Sequence, residues 1–339
     1  MKTGPVYIRA AGMACPVGLT WAASCAAMRA GITRKNISSY HDNDGYEIVG
    51  SYLRDGISED ASEDERWLSL LSYALENIAR QMQQPMIEHI PLLLARPLLR
   101  NGQPFPIHVL ADTLSTRLEL RIAPSNIRVF NEGAYGSYVA LEHGRALARA
   151  GQPCIVAAAE SMLCARSLLR LSEQRRLLVE DNPDGIIPGE AAAAVLLTQD
   201  KKHVLATVRG LGFGKEPASF DNDIPLRADG VVAAARAALL EANLQLHQLD
   251  FRVSDAAGES FYFKEQSLFV SRLLHERRAE FPLWLPAETL GDTGAASGLC
   301  GMLWAVASWV RKYAPGPRAI GFAGNDEGAR AAVIIESGG

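Results

Sequence analysis

Short apolar runs alternate with segments of helical spacing along almost the whole chain. Residues 6–10 predict a strand, Cys15-Pro16-Val17-Gly18 a turn, and 20–30 a helix that Gly31 ends. Residues 41–64 are polar, with Asp42-Asn43-Asp44-Gly45 and a cluster of acids, and predict a surface loop. It leads into a helix at 67–84 whose Leu68, Leu71, Leu75, Ile78 and Ala79 fall on one face. Further strands are expected at 90–95, 126–130, 155–159 and 191–198. Helices are expected between them at 109–121, 134–150 and 165–178.

The second half repeats this more briefly, with strands at 206–210, 251–254, 318–322 and 331–335 and helices at 230–243, 265–275 and 298–311. Such alternation implies an α/β fold whose mostly parallel sheet is covered on both faces. No Pro/Gly/Ser-rich linker separates the two parts. Residues 1–200 and 201–339 are therefore expected to be halves of one compact unit.

Composition narrows the function classes. Of the 339 residues 48% are apolar and 21% charged, the balance of an ordinary globular chain, so disorder is not expected. A formal net charge of −4 without a dense Lys/Arg run argues against nucleic acid and anionic membranes as partners. The longest apolar runs, such as 191–197, fall far short of the roughly 20 residues that span a bilayer, and Met1-Lys2-Thr3 opens no signal-peptide core. A cytoplasmic location is the expectation. Cys15, Cys25, Cys154, Cys164 and Cys300 show neither CxxC nor Cys/His ligand spacing. They are expected to be reduced, mostly buried thiols, with no metal and no cofactor.

Five stretches resemble the β-ketoacyl synthases of the thiolase superfamily, in order and at suitable distances. The opening 6–31, with Gly12, Pro16-Val17-Gly18 and Trp21, is similar to the synthase's first strand, turn and helix. DGIIPGEAAA at 184–193 resembles the segment usually read DGxxPGEGAA. Pro225 with Asp229-Gly230 resembles the start of the second half. GDTGAASG at 291–298 is similar to the GHTxAAxG turn, and GFAGN at 321–325 to the GFGGTN loop. The resemblance implies a layered αβαβα fold of two pseudo-symmetric halves that dimerises through the sheet of its first half.

The same resemblance assigns chemistry that the side chains do not supply. The nucleophilic cysteine of a synthase sits at a strand-to-helix elbow, where a helix N-terminus favours a thiolate. Here Asn131-Glu132-Gly133-Ala134-Tyr135 puts Ala134 in that place, and a methyl group cannot be acylated. The histidine of the His-Gly-Thr motif falls on Ala257, the second histidine on Asp292, and the lysine five positions earlier on Ala287. A carboxylate at Asp292 opposes the developing enolate charge that a histidine would stabilise.

Residual candidates read as structural. Cys164 follows Ala159-Glu160-Ser161 without a histidine nearby in sequence, so a packed thiol is expected. Ser137 and His143 are six residues apart and fall on different faces of one helix. Glu190 matches a family glutamate that holds a loop. Asp292 with Glu132 is the one pairing that offers a new acidic site. The glycines at 133, 136, 291, 294 and 298 mark tight turns and close backbone approach. The Arg-rich segment 169–178 reads as a solvated helix face with Glu173 and Arg176 paired, the alternative being a partner-binding helix.

The expected function is non-catalytic. The chain would be a pseudoenzyme used as a scaffold, chaperone or adaptor, forming a homo- or heterodimer. The N-terminal segment resembles short thiolase-like proteins of bacterial type VI secretion effector clusters, which implies an effector as partner. Two alternatives stay open: an acyl-transfer or condensing enzyme with atypical residues, and a subunit shaping the product of an active synthase, as chain-length factors do. At 339 residues the chain is also shorter than ordinary synthases, leaving less material to line an acyl tunnel.

Overall fold

The computed structural model describes residues 4–58, 61–82, 89–97, 105–220 and 222–338. The Met1-Lys2-Thr3 opening, part of the 41–64 loop and the end of the helix expected at 67–84 lie outside them.

Ten strands form one mixed sheet in the order β10-β9-β11-β12-β8-β1-β7-β6-β4-β5. From the first half come β1 (Val6–Ala14), β4 (Leu92–Ala95), β5 (Ile127–Phe130), β6 (Cys154–Ser161) and β7 (Glu190–Thr198). From the second come β8 (Ala206–Lys215), β9 (Phe251–Val253), β10 (Leu283–Trp284), β11 (Arg318–Gly324) and β12 (Ala329–Ser337). Written by half, the order is β5-β4-β6-β7-β1 and then β10-β9-β11-β12-β8. Parallel and antiparallel pairings recur at matching places, with β4, β5 and β6 parallel like β9, β10 and β11. One half thus repeats the other. Their sheets meet edge to edge only through Val6, Tyr7 and Ile8 of β1, opposite Val208, Thr207 and Ala206 of β8.

Helices complete five layers. On the outer face of the first half, α2 (Glu63–Gln81) and α3 (Ile107–Leu118) pack through Leu70, Leu71, Ile78, Leu110 and Leu114 onto Leu94, Ala157 and Ala194 of the sheet. On the outer face of the second, α6 (Asp229–Ala242) and α7 (Ser260–Leu273) bury Val231, Ala235, Ala238 and Phe269 against Ile320 and Ile334. Between the sheets lie α4 (Gly133–Arg149) and α9 (Ser297–Val310), with α1 (Trp21–Arg29) beside them. The expected αβαβα architecture is present.

Local sequence accounts for these elements. Ser62 caps α2 by accepting from the Glu65 N–H at 3.2 Å, and Glu63, Asp64 and Glu65 place negative charge at its positive end. β7 is buried along its whole length, which its near-continuous Ala/Val/Leu run requires of a strand covered on both faces.

The polar segment expected to be a loop holds a two-stranded sheet instead, β2 (Lys35–His41) paired with β3 (Glu47–Ser51). β2 exposes most of both faces, so it carries no period-two apolar signal. The segment expected to be helical over 165–178 ends earlier, as α5 (Ala165–Glu173). Arg175 then turns the chain at φ 51°, and Leu177 bridges to Ile186. No helix among the described residues is long and apolar enough to cross a membrane.

Candidate functional site

Ala134, Ala257 and Asp292, far apart in sequence, converge on a cavity of about 110 Å³ between the halves. Ala134 is the second residue of α4, set there by the β5-to-α4 elbow. Ala257 lies in the connection from β9 to α7. Asp292 stands in the turn between the short helix α8 (Ala287–Leu290) and α9. Ala287, at the start of α8, does not line the cavity, so the lysine position is not part of this group.

Backbone pairing holds the Asp292 turn. The Asp292 N–H donates to the Ile187 carbonyl at 2.7 Å, and the Gly189 N–H donates to the Asp292 carbonyl at 2.8 Å. A Cβ on Gly189 would lie 2.1 Å from the Leu290 carbonyl oxygen, and one on Gly291, at φ 72°, 2.6 Å from the Ile187 carbonyl oxygen, so each of these two stitched segments needs its glycine. The Asp292 side chain bonds only locally, accepting from the Gly294 N–H at 2.9 Å.

The acid at the end of β6 that shares the cavity with Asp292 is Glu160, and not Glu132. Glu132 precedes α4 and does not line the cavity. The Glu160 carboxylate accepts from the Ala295 N–H and fills the space a Cβ on Gly294 would need. Burial, with Asp292 nearby, pushes Glu160 up to about 7; burial likewise pushes Asp292 up to about 6. Asp255, also lining the cavity, is raised by burial although it accepts from the Gly324 N–H at 2.7 Å.

Arg176 ties the first half to the second at this cavity. Its guanidinium bonds both carboxylate oxygens of Glu259, at 2.6 and 2.7 Å, and reaches Asp326 at 2.6 Å. Tyr262 donates to the other Asp326 oxygen at 2.9 Å, and the Phe220 ring lies under the Arg176 guanidinium at 4.9 Å. Burial opposes ionisation of Asp326, but the Arg176 charge outweighs it and holds the carboxyl below its ordinary range. The expected pairing of Arg176 with Glu173 is therefore replaced. The two tertiary carboxylates draw Arg176 inward, and the helix stops before it.

The remaining candidates lie elsewhere. Cys164 sits in a separate depression, capping α5 through its Sγ, which accepts from the Ser167 N–H at 3.4 Å, and burial pushes its thiol up. Ser137 is buried and donates to the Ala134 carbonyl at 2.7 Å. His143 lies on another face of α4 against Arg128 and Phe130, as its spacing predicted. Glu190 is fully buried and holds a loop: it accepts from the Leu53 N–H, from Arg66 and from Ser161, at 2.5 to 2.9 Å. All five cysteines are unbridged, and all but Cys164 are buried. No cluster of His, Cys, Asp and Glu able to hold a metal occurs among the described residues.

Neither a thiol nor an imidazole lines the cavity among the described residues. Its hydroxyls are committed, Tyr262 to Asp326 and Ser297 to the Gly294 carbonyl at 2.8 Å. At about 110 Å³ it lies below the roughly 300 Å³ at which small-molecule pockets begin. This arrangement offers buried carboxylates and two hydrogen-bonded hydroxyls, with neither a thiol nor an imidazole among the described lining residues.

The carboxylates make stability depend on pH. Glu160 binds its proton in the folded chain up to about pH 7, while the unfolded chain releases it at the ordinary value near 4.5. The folded state therefore holds more protons in that window, and stability falls as pH rises through it. Glu160→Gln removes this contribution. Relative to wild type, the variant should gain on the order of 2–3 kcal/mol between pH 4.5 and pH 8, read from urea unfolding at several pH values. A difference that stays flat over that range defeats the assignment.

No protein-family model matches the sequence, and no curated protein does. Solved structures match in fold. In a type II polyketide synthase acyl-carrier protein in complex with its ketosynthase bound to the hexaketide, the matching chain has a TM-score of 0.80 at 13% identity, with 98% of this chain and 99% of that one covered. A ketosynthase in complex with its chain length factor from Xenorhabdus doucetiae gives 0.77 at 15%, with 98% of both chains covered. The ketosynthase from module 6 of the bacillaene synthase of Bacillus subtilis 168 gives 0.77 at 13%, with 98% of this chain but only 72% of that one covered. The fold is thus that of thiolase-like ketosynthases. The chain is short against the modular domain, but not against the matched chains of the first two complexes. Its length alone therefore says nothing about a lost acyl tunnel.

Proposed function

We propose that this protein is a non-condensing ketosynthase-fold subunit that works by pairing with another protein, in the manner of a chain length factor beside an active ketosynthase. The observation that carries this reading is the cavity itself. The nucleophile position is Ala134, one histidine position is Ala257, the other is the carboxylate of Asp292, and Arg176 is committed to Glu259 and Asp326 beside them. Near-complete mutual coverage with a chain of a ketosynthase and chain length factor complex supports a ketosynthase-fold partner. An adaptor for a type VI secretion effector is the other identity such a partner can have, and it rests on the N-terminal likeness alone.

Intact-mass measurement after exposure to acyl thioesters tests the chemistry: no covalent adduct is expected, and an acyl group on any cysteine defeats the reading. Ala134→Cys should still show no condensation, because the residues that assist decarboxylation remain absent; turnover by that variant is the contrary result. Co-expression with a ketosynthase subunit from the same genome should give a heterodimer on gel filtration. A heterodimer with a secreted effector instead selects the adaptor.

A further inference from the structure

A second, less polar cavity of about 270 Å³ lies between α1 and the end of α9, on residues to which neither the candidate site nor the family likeness assigns a role. Trp21 forms one wall, its indole N–H fixed on the Leu303 carbonyl at 3.1 Å, and Tyr313 another. Ala26 and Val310 leave apolar surface open to solvent, Val310 being 48% exposed. Exposed apolar surface in a concave, aromatic-walled groove favours a ligand, and at about 270 Å³ the groove lies just under the roughly 300 Å³ at which small-molecule pockets begin, which limits its occupant to a short chain or a single ring.

Two guanidiniums border this apolar floor. Arg29 lies over the Tyr313 ring at 4.2 Å, and Arg311 follows the last turn of α9. Neither has a carboxylate partner among the described residues, whereas arginines such as Arg66, Arg145, Arg176 and Arg330 do. Arginine at a helix C-terminus complements the helix dipole, but each helix end carries only about half a charge. Two full charges therefore leave the groove positive, in a chain whose formal net charge is −4.

From the apolar floor and two bordering arginines that have no carboxylate partner among the described residues we infer that this groove binds a small amphiphile: an apolar body of up to about ten carbons ending in an anionic group such as a carboxylate. The apolar part lies against Trp21 and Val310, and the anion meets Arg29 and Arg311, whose planar forks suit a carboxylate. This site is independent of whether the cavity between the halves has chemistry.

Calorimetric titration of the full chain with decanoate, below its micelle concentration, tests the inference. Saturable 1:1 binding is expected. Arg29→Gln and Arg311→Gln should each weaken it about tenfold, the size of a lost charge-assisted hydrogen bond. Ala26→Trp, at an exposed helix position that tolerates bulk, should fill the groove and abolish binding while circular dichroism stays unchanged. Decanol binding as tightly as decanoate overturns the anionic part of the inference. Decanoate binding that survives Ala26→Trp, or is absent from the wild type, overturns the site.

Discussion

Glu190→Ala is expected to cost about 3–5 kcal/mol of folding stability, the usual penalty for leaving one member of a buried ion pair alone. The Glu190 carboxylate has no solvent exposure and takes Arg66 on both oxygens, together with the Leu53 N–H and the Ser161 hydroxyl. Removing it strands a buried guanidinium and frees the 51–58 segment that the carboxylate and Arg66 hold jointly, Arg66 by bonding the Leu53 and Ser58 carbonyls. Replacing both partners with apolar residues, as in Glu190→Leu with Arg66→Met, should recover much of the loss because no charge is left without a partner. Chemical denaturation followed by circular dichroism reads both. A single-variant cost below about 1 kcal/mol would place the pair among ordinary surface bridges.

Arg176→Ala should come close to that loss, at about 3 kcal/mol or more, with a consequence the first variant lacks. Arg176 belongs to the first half, Glu259 and Asp326 to the second, and the bonds between them are 2.6 to 2.7 Å with Glu259 almost wholly buried. Truncation leaves two carboxylates facing each other near Asp292, and it unties the segment between α5 and β7. That segment should be cut faster by limited proteolysis in the variant than in the wild type. A double-mutant cycle with Glu259→Gln isolates the pair. A coupling below about 0.5 kcal/mol would show that Arg176 acts through Asp326 and packing on Phe220 and not through Glu259.

Much of the architecture was readable because the strands that matter most are buried on both faces. β6 and β7 announce themselves as apolar runs, and the glycine-framed turns place Ala134 and Asp292 before any coordinate is known. Two things left no local trace. β2 pairs only with β3 and exposes most of both faces, so nothing periodic marks it. Arg176 leaves its helix for partners 83 and 150 residues away, a choice made by tertiary charge. Glu160 was legible in principle: an acid closing the apolar run of 155–159 must find a hydrogen-bond partner, and it finds the Ala295 N–H in the turn that carries Asp292.

The Asp292 turn has a wider consequence. It is held by main-chain bonds to residues 187 and 189, and its side chain takes no part in them. Frame and chemistry are thus separable cargo. The glycines and the backbone stitching set the path of the turn, while the residue 292 side chain adds one local bond, to the Gly294 N–H. A glycine frame of this kind therefore reports how the chain folds, and by itself it says nothing of which reaction, if any, the turn serves.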